Sequence, residues 1–436
     1  MQRYEKYKDS GVDWIGQIPE HWKILPGLSF IYENKAKNKG MIRNTVLSLS
    51  YGKIRVKAES ELTGLVPESF ETYQLVNVGD VIFRPTDLQN DMVSLRSSIS
   101  EFEGIITSAY LNLRFKENAD PKFFHYFFRS IDNNKIIYGL GSGLRQNISY
   151  LDFRRFNFPF PPLEEQQTIA IFLDDKTTKI DQTIAIKQKE IELLKERRQI
   201  LIQKAVTKGL DDNVKMKDSG VDWIGEIPEH WEVRKLRFDF NLSKGLTITK
   251  ENLTDEGVFC LNYGEIHSKY GFEVNPKIHK LRCVPNEYLN TNSNSILNNG
   301  DFIFADTSED LEGSGNFTYL NSRETVFAGY HTVIVRPKNG IESRFFAYEF
   351  DSLNFRNQIR TKMKGVKVFS ITQSILKDLT IWIPPYQEQI GIKEYLDEKT
   401  SKIDQIISLK QQEIEKLKEY KTVLIDNVVT GKVKVI

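Results

Sequence analysis

The sequence is poor in cysteine, in long apolar runs and in net charge, and each shortage excludes something. Only Cys260 and Cys283 occur among 436 residues. Without metal-ligand spacing they exclude a zinc module or a disulfide framework and read as ordinary buried thiols. No apolar stretch approaches the roughly 18–20 residues of a membrane span, and no apolar signal-peptide core follows Met1. The expected location is therefore the cytoplasm. Sixty basic residues balance 59 acidic ones for a net charge of +1. That excludes a polycation gripping nucleic acid non-specifically, yet leaves room for a local basic face opposite acidic helices. Composition alone does not point to DNA.

Catalytic signatures are missing as well. There is no P-loop, no nucleophile elbow and no nuclease-type Asp…Glu-x-Lys spacing. Ile383-Pro-Pro-Tyr386 looks like the Asn-Pro-Pro-Tyr motif of amino-methyltransferases, but the residue that would bind the target amino group is replaced. The parallel stretch Phe160-Pro-Pro-Leu163 identifies both as helix-start signals. Glu312-Gly-Ser-Gly315 lacks the strand–loop–helix context of a cofactor loop and reads as a turn. Asp306, Glu309, Asp310 and Glu312 have no paired histidine and read as a solvated loop. The expectation is a chain with no catalytic residue, no metal and no cofactor of its own.

What is present is an internal repeat. Residues 8–22 (KDSGVDWIGQIPEHW) and 217–231 (KDSGVDWIGEIPEHW) agree at fourteen of fifteen positions, at an offset of 209. Val78-Gly-Asp-Val-Ile-Phe83 resembles Asn299-Gly-Asp-Phe-Ile-Phe304 at 221, and Pro161-Pro-Leu-Glu-Glu-Gln166 resembles Pro384-Pro-Tyr-Gln-Glu-Gln389 at 223. From there to the end the offset is constant. The chain is a tandem duplication with a fixed frame and divergent interiors, roughly 23–158 and 232–381. A preserved frame suggests a shared partner used twice, and divergent interiors suggest two different ligands. Trp14, His21 and Trp22, with Trp223, His230 and Trp231, are the candidate docking residues.

Each repeat ends in a long helical pattern opened by the Pro-Pro pair and closed near Gly209 or Gly431. Ile180, Ile184, Ile191, Leu194, Leu201 and Ala205 follow alternating steps of four and three, interrupted by Lys187 and Arg198. Ile403, Ile407, Ile414, Leu417, Leu424 and Val428 fill the same slots, with Lys410 and Lys421 at the interruptions. Such a narrow seam over roughly 60–65 Å predicts a coiled coil rather than a surface helix. Antiparallel pairing would make a pseudo-two-fold rod; the alternative is that each helix packs on its own domain. The polar slots weaken the seam, although their stems can cover apolar surface.

The interiors read as mixed α/β. Val76–Phe83, Ile105–Phe115, Val258–Asn262 and Val326–Arg336 look like strands, and Phe123–Ile131 and Phe345–Phe355 like short helices. Two loops before the Pro-Pro stops, 139–147 and 361–368, hold Arg145, Gln146 and Asn147, and Lys362, Lys364 and Lys367. Lysines there can meet phosphates, while Arg, Gln and Asn can pair with base edges. Lys35, Lys37 and Arg43, Lys53 and Arg55, Lys244 and Lys250, and Tyr263 with Lys269 form weaker clusters of the same chemistry.

With the doubled Gly11–Trp22 and Gly220–Trp231 frames, the Pro-Pro stops and the Lys-Ile-Asp starts of both heptad runs (179–181 and 402–404), the chain resembles the specificity subunit of type I restriction–modification systems over essentially its whole length. Asp301–Gly315 with Ala328-Gly-Tyr-His-Thr332 looks like one type of target recognition domain. The resemblance implies an α+β chain of two target recognition domains with frames (1–160 and 211–383) and two conserved coiled-coil helices (161–210 and 384–436). Each domain would read one half of a bipartite double-stranded DNA site, with the helices setting the spacer. Two methyltransferase subunits, using S-adenosylmethionine to methylate adenine, would dock on the frame. Two restriction–translocase subunits would complete the complex, with ATP and Mg²⁺ also belonging to partners. A coiled-coil scaffold holding two protein-binding domains is the alternative; it would show no sequence-dependent DNA affinity.

Overall fold

Both heptad patterns fold as uninterrupted helices, Leu163–Lys208 and Tyr386–Val429, in the computed structural model of the chain. It describes residues 2–62, 69–91, 95–139, 147–308, 310–311, 313–363 and 369–435. The architecture is α+β. By contacts the chain divides into an N-terminal unit, Met1–Gln188 with Gln411–Ile436, and a C-terminal unit, Lys189–Lys410. The division passes through both long helices, so each unit contains one divergent interior and part of each helix.

Within each unit the two helix segments run antiparallel. In the N-terminal unit Lys187 pairs with Glu413 (2.5 Å) and Lys421 with Asp181 (2.7 Å). In the C-terminal unit Lys410 pairs with Glu190 (2.5 Å) and Arg198 with Asp404 (3.4 Å). These are the same two pairings displaced by 223 residues, with the roles of the helices exchanged. The cations that interrupt the apolar seam therefore specify register, each reaching a carboxylate on the opposite helix. Exposed pairs of this kind contribute little energy individually, about 0–1 kcal/mol; the buried isoleucines beside them, Ile180, Ile191, Ile403, Ile407 and Ile414, supply the apolar contact.

The divergent interiors share a sheet. In the N-terminal unit four antiparallel strands lie in the order Ile31–Glu33, Leu111–Phe115, Val81–Phe83, Ser97–Ile99. The C-terminal unit repeats it as Phe240–Lys244, Thr332–Pro337, Phe302–Ala305, Phe317–Leu320, adding Glu273–Val274 in parallel. A second four-stranded sheet, centred on Val258–Leu261 and Val326–Ala328, belongs to this unit. The repeated Gly-Asp dipeptide has a structural cause. Asp80 binds Arg114 (2.8 Å) and accepts from the Asn77 amide; Asp301 binds Arg336 (2.7 Å) and accepts from the Asn298 amide. Each buried carboxylate thus ties a tight turn to the neighbouring strand.

Three expected strands are interrupted. Val76–Phe83 is split by the turn before Asp80, Ile105–Phe115 is split at 107–110, and Val326–Arg336 is split by Gly329-Tyr-His331. Phe345–Phe355 is two helices, Ser343–Asp351 and Leu353–Lys362, because Ser352 adopts an extended backbone and caps the second by accepting from the Phe355 amide. The expected Phe123–Ile131 helix runs from Pro121 to Asn133 behind an Asp120 cap. Among the described residues no helix is long and apolar enough to cross a membrane.

The frame joins these parts. Hairpin Tyr7–Asp9/Gln17–Pro19 and its counterpart Met216–Asp218/Glu226–Pro228 each lead into a fully buried tryptophan, Trp22 or Trp231. In the N-terminal unit Trp22 lies against Gly431 at the end of the second long helix; in the C-terminal unit Trp231 lies against Gly209 at the end of the first. Both glycines have positive φ (75° and 73°), and a side chain on either would meet the hairpin residues or the acid packed there. They are the helix stops expected from sequence, now with a packing reason.

Candidate nucleic-acid interface

The corresponding loops in the two units stand at one structural position. In the N-terminal unit residues 84–91 follow the strand Val81–Phe83. The Ile148 amide donates to the Pro85 carbonyl (2.9 Å), and Asn147 Oδ1 accepts from the Asp87 amide (3.1 Å). In the C-terminal unit residues 306–316 follow Phe302–Ala305. The Ile371 amide donates to the Asp306 carbonyl (2.8 Å), while Thr307 and Ser308 pair with Ser370 and Phe369. Pro85 and Asp306 differ by 221 in number, Ile148 and Ile371 by 223, the offsets of the repeat itself. Each strand-following loop is therefore pinned to the chain just beyond one of the two basic or Gly-rich loops. Arg145, Gln146, Lys364 and Lys367 lie outside the described residues; Asn147 and Lys362 flank them.

In the N-terminal unit the loop is held from beneath by Arg96, which is fully buried. Its guanidinium donates to the carbonyls of Thr86 (2.7 Å), Asp87 (3.1 Å) and Asp91 (2.5 Å), and it lies over the Tyr138 ring at 5.4 Å. Arg84 also pairs with Asp91. A buried cation surrounded by carbonyls fixes backbone rather than reading it, leaving the outward side of the loop for a ligand.

The C-terminal unit places an open cleft at this position. Gly329 approaches so closely that an added Cβ would lie 1.9 Å from Asn262 Oδ1, which explains the glycine. The next residues, Tyr330 and His331, face Tyr263 with ring centroids 5.7 and 5.5 Å away. Three cavities open around them. One of about 570 Å³ includes Lys244, Asp306 and His331; one of about 440 Å³ includes Tyr263, His267 and His331; one of about 720 Å³ includes Lys250, Tyr263, Lys269 and Tyr330. Lys244 with Lys250, and Tyr263 with Lys269, two separate clusters in the sequence, are thus brought around one surface. Among the described residues none of these three lysines forms a salt bridge, although Glu251 and Glu265 line the same cavity as Lys250 and Lys269.

Elsewhere the cations are more engaged. Lys35 pairs with Glu33 (3.0 Å), Lys37 donates to Ser108 Oγ (2.6 Å), and Arg55 pairs with Glu61 (2.7 Å). Arg43 is half-buried and donates to the Val76 carbonyl (2.6 Å) and Asn77 Oδ1 (2.8 Å). Lys53 is exposed on the hairpin Leu47–Ser50/Lys53–Val56. Lys362 donates to the Asp378 carbonyl (3.0 Å); burial, and then the nearby Lys235, lower its pKa.

The frame residues require a correction. Trp22 and Trp231 have no exposed surface, so neither ring can meet a partner; both anchor the cores under the helix ends. Trp14 is half-buried against Phe127 and Phe156, whereas Trp223 is 41% exposed. His21 and His230 are exposed but each bonds a glutamate near the start of the long helix that follows it, Glu165 and Glu388, at 2.8 Å. Near-identity of the frames thus has an internal cause besides any partner.

Several structural residues were hidden in the sequence motifs. Gln166 of the first Pro-Pro stop donates to the Pro161 carbonyl and accepts from the Asp120 amide; Gln389 does the same with Pro384 and Glu342. Each buried glutamine ties the start of a long helix to the start of the Pro121–Asn133 or Ser343–Asp351 helix. The constant offset of 223 was the signal that could have found them. Among the described residues no group of three or more His, Cys, Asp or Glu is arranged to hold a metal ion.

Two units with one sheet order, different loop chemistry and shared antiparallel helix pairing define a double recognition module. The chain belongs to the type I restriction–modification DNA specificity family: the family model described as "Type I restriction modification DNA specificity domain" matches residues 95–196 and 228–419. It is 25% identical over 434 residues to the type I restriction enzyme MjaVIII specificity subunit of Methanocaldococcus jannaschii, covering 96% of this chain and 94% of that protein. The EcoKI specificity subunit of Escherichia coli is 27% identical over 278 residues, 62% of this chain and 56% of that protein. Two solved chains share the fold. One, from work on "complex assembly and conformational transition of the type I R-M system", has a TM-score of 0.71 at 14% identity, covering 95% of this chain and 99% of that one. The HsdS subunit from Thermoanaerobacter tengcongensis has a TM-score of 0.53 at 15% identity, covering 95% and 98%.

Proposed function

We propose that this chain chooses the DNA sequence for a type I restriction–modification complex and performs none of its chemistry. Each unit reads one half of a split site in double-stranded DNA, and the paired helices set the spacer. Two methyltransferase subunits dock on the repeated frame, and two restriction–translocase subunits complete the assembly in the cytoplasm. S-adenosylmethionine, ATP and Mg²⁺ act in those partners. The observation that carries this reading is the equivalent loop anchorage in both units, Pro85–Ile148 and Asp306–Ile371, beneath unrelated surface chemistry. One scaffold presenting two different surfaces is what a bipartite, asymmetric sequence requires.

The test is co-expression with a type I methyltransferase subunit and mapping of modified adenines across the host genome. A split motif with two unrelated halves is expected. Exchanging residues 232–381 for the interior of another family member should change one half and leave the other intact. Absence of a motif, or a change in both halves, refutes the modular reading.

A further inference from the structure

We propose that His331 reads a base in the half-site of the C-terminal unit, accepting a hydrogen bond at Nε2 from the exocyclic amino group of adenine or cytosine. The proposal rests on the DNA-specificity reading above and assigns one contact within it. His331 Nδ1 lies 3.2 Å from Asp306 Oδ1. A carboxylate can only accept, so Nδ1 carries the proton, and in the uncharged form of the ring Nε2 is left as an acceptor. In the major groove the amino groups of adenine N6 and cytosine N4 donate, whereas guanine O6 and N7 and thymine O4 accept. A ring fixed in this tautomer therefore selects adenine or cytosine on the strand it meets.

The ring is held as a reading residue must be. Its backbone is left-handed (φ 54°), a conformation that histidine, like asparagine and aspartate, adopts more readily than most residues other than glycine. Tyr263 and Tyr330 contact it edge-on at 5.5 and 5.9 Å. Despite these restraints 57% of the side chain remains exposed, where two cavities meet. Lys244 and Lys269 on adjoining walls offer charge for the flanking phosphates.

The experiment measures binding by the intact complex with its methyltransferase subunits. The probe is the mapped recognition duplex, with each adenine or cytosine of one half-site replaced in turn by the analogue lacking its exocyclic amino group. At one position the wild type should lose about 5- to 150-fold in affinity, the span of a good base contact. His331→Ala should weaken native DNA by a similar factor and be indifferent to the analogue there. His331→Asn tolerates the left-handed backbone but cannot reach as far, so it should behave likewise and guards against misfolding of the alanine variant. The position that responds tells adenine from cytosine. If both variants still discriminate against the analogue as the wild type does, or lose affinity equally at every position, the assignment is wrong. If the wild-type complex shows no base-dependent binding at all, the specificity reading fails and this proposal with it.

Discussion

Arg96→Met isolates the clamp beneath the N-terminal loop. Methionine preserves much of the stem's volume but removes the donors to Thr86, Asp87 and Asp91. At about 1 kcal/mol net per bond, three bonds amount to about 3 kcal/mol, roughly a hundredfold in a local opening equilibrium. Removing the buried charge limits the loss, and freed carbonyls on a partly solvated loop can turn to water, so the effect should not exceed this. Two amides report on it directly: Asp87, bonded to Asn147, and Asp91, bonded to the Asp87 carbonyl. Native-state hydrogen exchange should show both accelerated about a hundredfold, with strand Val81–Phe83 unchanged. Base discrimination should fall in one half-site only. Exchange at Asp87 and Asp91 within about threefold of wild type would refute the clamp; equal acceleration in the strand would show a global loss instead.

Lys269→Ala should weaken binding to all sequences alike and reduce the slope of log affinity against log salt by about 1, as for one lost phosphate contact; a base-specific loss in a salt titration would contradict that role. Glu349 is fully buried, and burial raises its pKa well above the ordinary value, favouring the protonated form in the fold. Its stabilising contribution is complete below the unfolded carboxylate pKa and declines as pH rises toward the folded one. Glu349→Gln, retaining an acceptor for the Trp382 amide, should flatten that decline in thermal melts between pH 5 and 8; an unchanged profile argues against it. Reversing Lys187 to Glu should destabilise the helix pairing by less than about 1 kcal/mol, and adding Glu413→Lys should restore it in a denaturation cycle. Failure of the double variant to recover would mean that this pair does not set register.

The sequence made visible whatever depends on periodicity or on identity between repeats. The heptad steps located both long helices, and the closing glycines located their ends. Their register was not legible, because it depends on which acid faces Lys187 or Lys421 across a gap of more than 200 residues. The shared sheet was obscured for a similar reason: strand order is long-range, and runs such as 326–336 conceal a break that serves the cleft. The frame was found at once but assigned outward, because identity cannot distinguish a buried anchor such as Trp22 from a docking surface. Lys244 with Lys250, and Tyr263 with Lys269, looked like two weak clusters until the fold brought them around Tyr330 and His331, whereas Arg43 proved to be engaged by the Val76 carbonyl, Asn77 and Glu103.

The two units reach completion differently as the chain is made. The C-terminal unit is one contiguous stretch, Lys189–Lys410. The N-terminal core includes Leu424, Ile425, Val428 and Val429, and Gln2 pairs with Lys434. The domain synthesised first therefore remains open until the end of the second long helix emerges, roughly 10–45 s later at ordinary translation rates. Its closing contacts range from Lys187–Glu413, 226 residues apart, to Tyr7–Lys432, 425 apart, and such long-range contacts are the slowest kind to form. A chain ending at residue 410 should keep 189–410 resistant to protease while residues 2–188 are digested; equal resistance of both would show that the first domain closes without its late partner. Until that closure, the DNA-reading half made first is the half most exposed to aggregation and proteolysis.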